Sequence, residues 1–118
     1  MILLFVDDHK DILEIYKAEM EYELKETECH YAISGEEALK ICEEHAITHV
    51  FTDAKMPGID GIELTREVMK RWPDKKVYMV SGYEGKYTDD ELKEAGVLKF
   101  FQKPIDFDSF IDFIKALS

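Results

Sequence analysis

Short apolar runs that end on a polar residue, separated by longer amphipathic stretches, constrain this chain more than any other feature. Ile2–Val6 is apolar throughout and stops at Asp7-Asp8. Cys29–Ile33, His49–Thr52, Val77–Val80 and Val97–Gln102 are similar runs of strand length. A strand that is apolar along its whole length has no face for water, so it belongs in a parallel sheet covered on both sides. The intervening segments read as helices. Lys10–Lys25 carries Ile12, Leu13, Tyr16, Met20 and Leu24 at helical spacing. Ser34 is an N-cap for a helix over Gly35–Cys42. Asp60–Arg71 carries Ile62, Leu64, Val68 and Met69, and Trp72-Pro73 stops it. Thr88–Ala95 is a weak helix with little but Leu92 and Ala95 on its apolar side, closed by Gly96. Asp106 caps a last helix with Phe107, Phe110, Ile111, Ile114 and Leu117 as its stripe.

Five strand–helix units in succession imply an α/β architecture with right-handed crossovers. At 118 residues the chain is expected to form one domain, 1–118, with a core large enough to need no disulfide or structural metal. The formal net charge of −11 argues against unaided binding to nucleic acid or anionic lipid. It suits a basic protein partner or bound cations. Cys29 and Cys42 stand in no metal-ligand pattern, so reduced thiols and a cytoplasmic setting are expected. The opening apolar run is too short for a signal-peptide core or a membrane span.

Sheets of this kind bind ligands outside the carboxyl ends of their strands. The polar residues that end the strands are Asp7 and Asp8, Asp53, Ser81 and Lys103. Taken singly, each has an ordinary explanation as a turn or helix-start residue. Together they would converge on one small region. Three carboxylates there repel one another, and a hard divalent cation relieves the repulsion. Mg²⁺, which takes carboxylate, water and phosphate oxygens, is therefore expected. Lys103 adds a point charge and Ser81 a hydroxyl. The set suits phosphoryl transfer, with Asp53 as nucleophile and catalysis by positioning and electrostatics.

Four segments resemble the receiver domains of two-component response regulators. They are Val6-Asp7-Asp8-His9, Thr52-Asp53-Ala54-Lys55-Met56-Pro57-Gly58-Ile59-Asp60-Gly61, Met79-Val80-Ser81-Gly82-Tyr83 and Phe100-Phe101-Gln102-Lys103-Pro104. The resemblance covers the whole chain, and the run from Asp53 to Gly61 is its most specific part. It implies a flavodoxin-like fold with strand order 2-1-3-4-5. It implies Asp53 as the phosphoacceptor, with Ser81 and Lys103 contacting the phosphoryl group. It also implies Mg²⁺ held by Asp8, Asp53 and the Lys55 carbonyl, with Asp7 acting through water. Ser81 and Phe100 become the switch pair, and a cis peptide is expected between Lys103 and Pro104. Phosphorylation would then reshape the face made by the fourth helix, fifth strand and fifth helix. The phosphodonor would be a sensor histidine kinase or phosphotransfer protein, and the output a further protein partner. Self-phosphorylation and self-dephosphorylation are the only enzymatic activities implied.

Gly58 reads as part of the turn that presents the Lys55 carbonyl, and Gly82 as space beside the phosphoryl group. Lys55 and Tyr83 are candidates for shielding the acyl phosphate from water. Phe113 lies off the stripe of the last helix, either as an exposed anchor or as ordinary packing. His9, His30, His45 and His49 form no metal-binding spacing and read as structural or surface residues. Rival functions are an aspartyl-nucleophile phosphatase, a flavin-binding domain and a receiver-like module that is not phosphorylated. A phosphatase of that kind would normally carry Asp-x-Asp after its first strand, and Asp7-Asp8 would repel a flavin phosphate. No output domain is recognisable, so a single-domain regulator and a piece of a larger protein both stay open.

Overall fold

The computed structural model of the chain describes residues 1–82 and 87–117. Five strands, β1 (Ile2–Val6), β2 (Glu28–Ala32), β3 (His49–Thr52), β4 (Lys76–Ser81) and β5 (Val97–Gln102), form one sheet. Their order is β2-β1-β3-β4-β5, and every neighbouring pair is parallel. The helices are α1 (Lys10–Glu23), α2 (Gly35–Glu44), α3 (Gly61–Arg71), α4 (Asp89–Ala95) and α5 (Phe107–Ala116).

Alternation along the strands splits the core into two layers. Leu3 and Phe5 pack with Phe51, Tyr78 and Val80 beneath α1 and α5, where Tyr16, Met20, Phe110 and Ile114 close the layer. Here Phe5, Phe51 and Tyr78 stack in sequence across three strands, with centroids 5.2 and 4.9 Å apart. Leu4, Val6, Val50 and Val77 face the opposite way, against Ala38 and Cys42 of α2 and Leu64 and Val68 of α3. A smaller cluster beneath α4 holds Met79, Ala54, Ile62, Leu92 and Ala95. The central strands β1 and β3 are buried on both faces, which is why their sequences show no polar alternation.

Several boundaries differ from the sequence reading. The first helix ends at Glu23 instead of Lys25, because Leu24 leaves helical geometry (φ −133°) while its amide still bonds the Met20 carbonyl at 2.8 Å. The second strand covers Glu28–Ala32, one residue earlier than expected, and Ile33 is left exposed. The fourth strand is longer at both ends and includes Ser81. Asp60 and Thr88 are caps and not helical residues. Each closes a reciprocal capping box, with Glu63 and Glu91 respectively. Gly96 ends α4 at φ +113°, a left-handed position suited to glycine. Phe113 is half-buried, edge-on to Tyr78 and Phe101, so it is packing for the α5 layer.

Candidate functional site

Four neighbouring strands, β1, β3, β4 and β5, end side by side and deliver the polar residues. Paired backbone contacts fix these ends: Asp7 N–H donates to the Ala32 carbonyl at 3.1 Å and Asp53 N–H to Val6 at 2.9 Å. Lys103 N–H donates to the Ser81 carbonyl at 3.0 Å, joining the ends of β4 and β5. The strand ends are thus held by ladder bonds before any side chain contributes.

The side chains then meet. Lys103 Nζ lies 2.7 Å from Asp7 Oδ2 and 3.5 Å from Asp53 Oδ2. Asp7 is 1% exposed, so this pair is largely out of water. The His9 amide donates to Asp7 Oδ1 at 2.9 Å, and the His9 ring reaches the same oxygen at 3.2 Å. Asp53 Oδ1 accepts the Ala54 amide at 2.7 Å, which leaves Oδ2 on the lysine side. Burial raises the Asp53 pKa above the ordinary carboxylate value; the Lys103 ammonium opposes that rise and Asp7 adds to it. Ser81 is fully buried at the end of β4 and lines the same cleft, about 590 Å³, as Asp8, Asp53, Lys55 and Lys103. The Lys103–Pro104 peptide is cis.

The donor set fits a hard cation. Asp7, Asp8, His9 and Asp53 each offer a ligand atom, all within 4.8 Å of one another. Asp8 Oδ1 is buried and accepts no hydrogen bond among the described residues, although the His9 ring nitrogen lies 3.3 Å away. A buried carboxylate oxygen without a donor is costly unless a cation faces it. Carboxylates clustered around such an atom are what Mg²⁺ binds.

The structure therefore gathers Asp7, Asp8, Asp53, Ser81 and Lys103 at one point, with Lys55 on the rim. Phe100 stands apart. It is half-buried on β5, paired with Met79 and packed toward the α4 cluster. Tyr83 lies outside the described residues. Two contributions become visible only in the structure. His9 reads from sequence as a structural or surface residue; its ring sits against both carboxylates of the pair it follows. Gly61 falls in the segment read as a helix over Asp60–Arg71, with nothing in the sequence to show what it rests on. It starts α3, and a Cβ there would collide with the Asp53 carbonyl and lie 2.9 Å from Ala54 Cα. Its hydrogen lets the helix start rest on the chain that carries Asp53.

Comparison with known proteins gives one consistent result. The family model for the response regulator receiver domain matches residues 3–115. The transcriptional regulatory protein DegU of Brevibacillus brevis is 25% identical over 98% of this chain and 49% of its own length. Response regulator GacA of Pseudomonas aeruginosa is 31% identical over 98% of this chain and 54% of its own. The chain thus spans about half the length of these relatives. A CheY-like receiver domain protein from Methanospirillum hungatei superposes with TM-score 0.89 at 28% identity, covering 98% of this chain and 91% of that one. Response regulator protein TrrA from Thermotoga maritima, solved in complex with Mg²⁺-BeF, gives 0.86 at 30% identity, covering 99% and 98%.

Proposed function

The chain belongs to the response regulator receiver family, the phosphoacceptor switches of two-component signalling, and we propose that Asp53 is the residue that accepts the phosphoryl group. The observation that carries this assignment is the placing of Asp53 between a lysine ammonium and an orphaned carboxylate oxygen at the mouth of the sheet. Asp53 Oδ2 attacks phosphorus while the bond from phosphorus to the donor's imidazole nitrogen breaks, and the donor histidine leaves with the electron pair and takes up a proton. Ala54 N–H holds the other oxygen and so orients the carboxylate. Lys103 swings its charge from Asp7 toward the new phosphoryl oxygens, a movement shortened by its existing reach to Asp53. Ser81 supplies a hydroxyl from the neighbouring strand end.

Asp8, Asp53 and the Lys55 carbonyl would hold Mg²⁺, with Asp7 behind them; when bound, the ion neutralises charge on the transferred group. The Mg²⁺-BeF complex of the TrrA relative supports a divalent cation in the corresponding pocket. Phosphorylation would be read through Ser81 and Phe100. These residues sit on adjacent strands whose register aligns Met79 with Phe100 and Ser81 with Gln102. A shift at Ser81 therefore reaches the ring through shared ladder contacts. The donor proposed is a histidine kinase or phosphotransfer protein, and the receiver of the signal is another protein. Among the described residues no helix is long and apolar enough to cross a membrane.

Incubation with acetyl phosphate and Mg²⁺, followed by intact-mass measurement, tests the assignment. Wild type should gain one phosphoryl group and Asp53→Asn none. Equal labelling of both would refute the assignment of Asp53.

A further inference from the structure

At the opposite end of the sheet, three residues from separate elements come together without any part in phosphoryl transfer. Glu28 opens β2, the edge strand, and pairs with Ile2 at the start of β1, whereas Asp7 and Asp8 follow the end of β1. His30 lies two residues along the strand, so it projects to the same face as Glu28. His45 is the C-cap of α2, where the chain turns back toward β3. His30 Nε2 lies 2.7 Å from Glu28 Oε2. The His30 and His45 rings are 4.1 Å apart between centroids and tilted by 35°. One ligand atom from each of the three residues lies within 4.8 Å of the others.

A carboxylate–histidine hydrogen bond on an edge strand would account for Glu28 and His30 alone. It does not account for a second imidazole packed on the first from another element. Two imidazoles and a carboxylate around one point are a ligand set for a borderline transition-metal ion. We propose that Glu28, His30 and His45 bind Zn²⁺, with water in the fourth position. The 2.7 Å contact between His30 Nε2 and Glu28 Oε2 would open to admit the ion: the Nε2 proton passes to solvent, the Nδ1 nitrogen carries the proton of the neutral ring, and both Nε2 and the carboxylate face the metal. The chemistry separates this site from the strand-end pocket. Mg²⁺ prefers oxygen ligands, which three carboxylates supply beside the single imidazole of His9, whereas two imidazoles with one carboxylate favour Zn²⁺. His30 is partly buried and Glu28 and His45 are exposed, so an ion has access. Bound there, it would tie the edge strand to the end of α2.

The test is titration of the full chain with Zn²⁺ alone as ligand, in excess Mg²⁺ to fill the acidic pocket, followed by calorimetry and thermal melting. Wild type should bind one equivalent and melt higher with Zn²⁺. His30→Gln and His45→Gln should each weaken binding at least tenfold and lose the melting shift. Asp8→Asn and His9→Gln should retain both. All variants should match wild type in circular dichroism, since each substitution nearly conserves shape and none of the four residues belongs to the buried core. Co²⁺ gives a second readout: visible bands of a four-coordinate ion in wild type, absent from His45→Gln. Wild-type affinity in both histidine variants, or a loss confined to Asp8→Asn and His9→Gln, would overturn the assignment.

Discussion

Replacing Gly61 by alanine tests whether Asp53, the proposed phosphoacceptor, is positioned by a helix packed directly on its backbone. An alanine Cβ would overlap the Asp53 carbonyl oxygen and sit 2.9 Å from Ala54 Cα. Ordinary carbon contacts are about 3.5–4.0 Å, so the two segments must separate by roughly 0.6–1 Å. Neither neighbour is a flexible side-chain tip. The Gly61 amide also donates to the Ala54 carbonyl at 2.7 Å, and the Gly61 carbonyl accepts the buried Thr65 hydroxyl at 2.7 Å. Overpacking of this kind costs about 1–3 kcal/mol. Removing a glycine from the unfolded chain returns about 0.4–1 kcal/mol. The net loss, about 1–2 kcal/mol, corresponds to a Tm lower by about 4–10 °C in a domain of this size.

Function should suffer more than stability. Moving a reacting group by about 1 Å can slow a step by about 100-fold. Phosphorylation of Gly61→Ala by acetyl phosphate should therefore be about 10- to 100-fold slower than wild type, followed by intact mass over time. Gly82→Ala is the control for packing. Among the described residues a Cβ there meets only Lys103 Cβ, at an ordinary 3.8 Å, and its backbone φ is not positive. Its Tm should stay within about 2 °C of wild type. The reasoning fails if Gly61→Ala melts and phosphorylates like wild type, or if Gly82→Ala is destabilised as much as Gly61→Ala.

Other consequences follow from the same site. Burial raises the pKa of Asp53, so the folded chain holds that proton more tightly than the unfolded chain. Its contribution to stability is therefore fullest below about pH 4 and is lost as pH rises through the folded value. In EDTA at neutral pH, Asp53→Asn should melt above wild type; added Mg²⁺ should narrow the gap, and melts from pH 4 to 8 would show it. A lower melting point for the variant in EDTA would contradict the sign. Lys103→Met leaves buried Asp7 without its 2.7 Å partner and should cost about 2–3 kcal/mol by urea denaturation, partly restored by Mg²⁺. Denaturation unchanged by the substitution would mean the pair is not desolvated. Thr88→Ala removes one half of the α4 capping box and should cost about 1 kcal/mol. Faster hydrogen exchange of α4 amides, with α3 unaffected, would report it.

The strands were legible because their causes are local, whereas their order followed from the family resemblance. A strand buried on both faces must be apolar along its length, and Leu3, Leu4, Phe5 and Val6 all have essentially no exposure. The strand-end residues were legible for the complementary reason. Asp7, Asp53 and Ser81 are polar groups at positions where burial penalises them, and they stand out against the apolar runs they close. Less legible were features set by what lies across a turn. The two extra residues assigned to α1 lie outside it because Leu24, although apolar at helical spacing, packs on the α1–α5 layer from beyond the helix end. The fit of Gly61 depends on the Asp53 backbone, and no periodicity reports backbone proximity.

The histidines show the same limit in sharper form. His30 and His45 belong to different elements, and only the packing of α2 beside β2 stacks their rings. Spacing rules find ligands that share a helix turn or a hairpin, because the chain itself brings those together. Ligands brought together by tertiary structure leave no fixed interval. The strand-end pocket is also assembled by tertiary structure, yet the sequence reading brought its residues to one place, because every one of them occupies the same topological position at a strand's carboxyl end. Convergence is legible where the topology repeats a position strand after strand. At Glu28, His30 and His45 a strand and a helix end meet through packing that leaves no shared mark in the sequence, and the juxtaposition appears only in three dimensions.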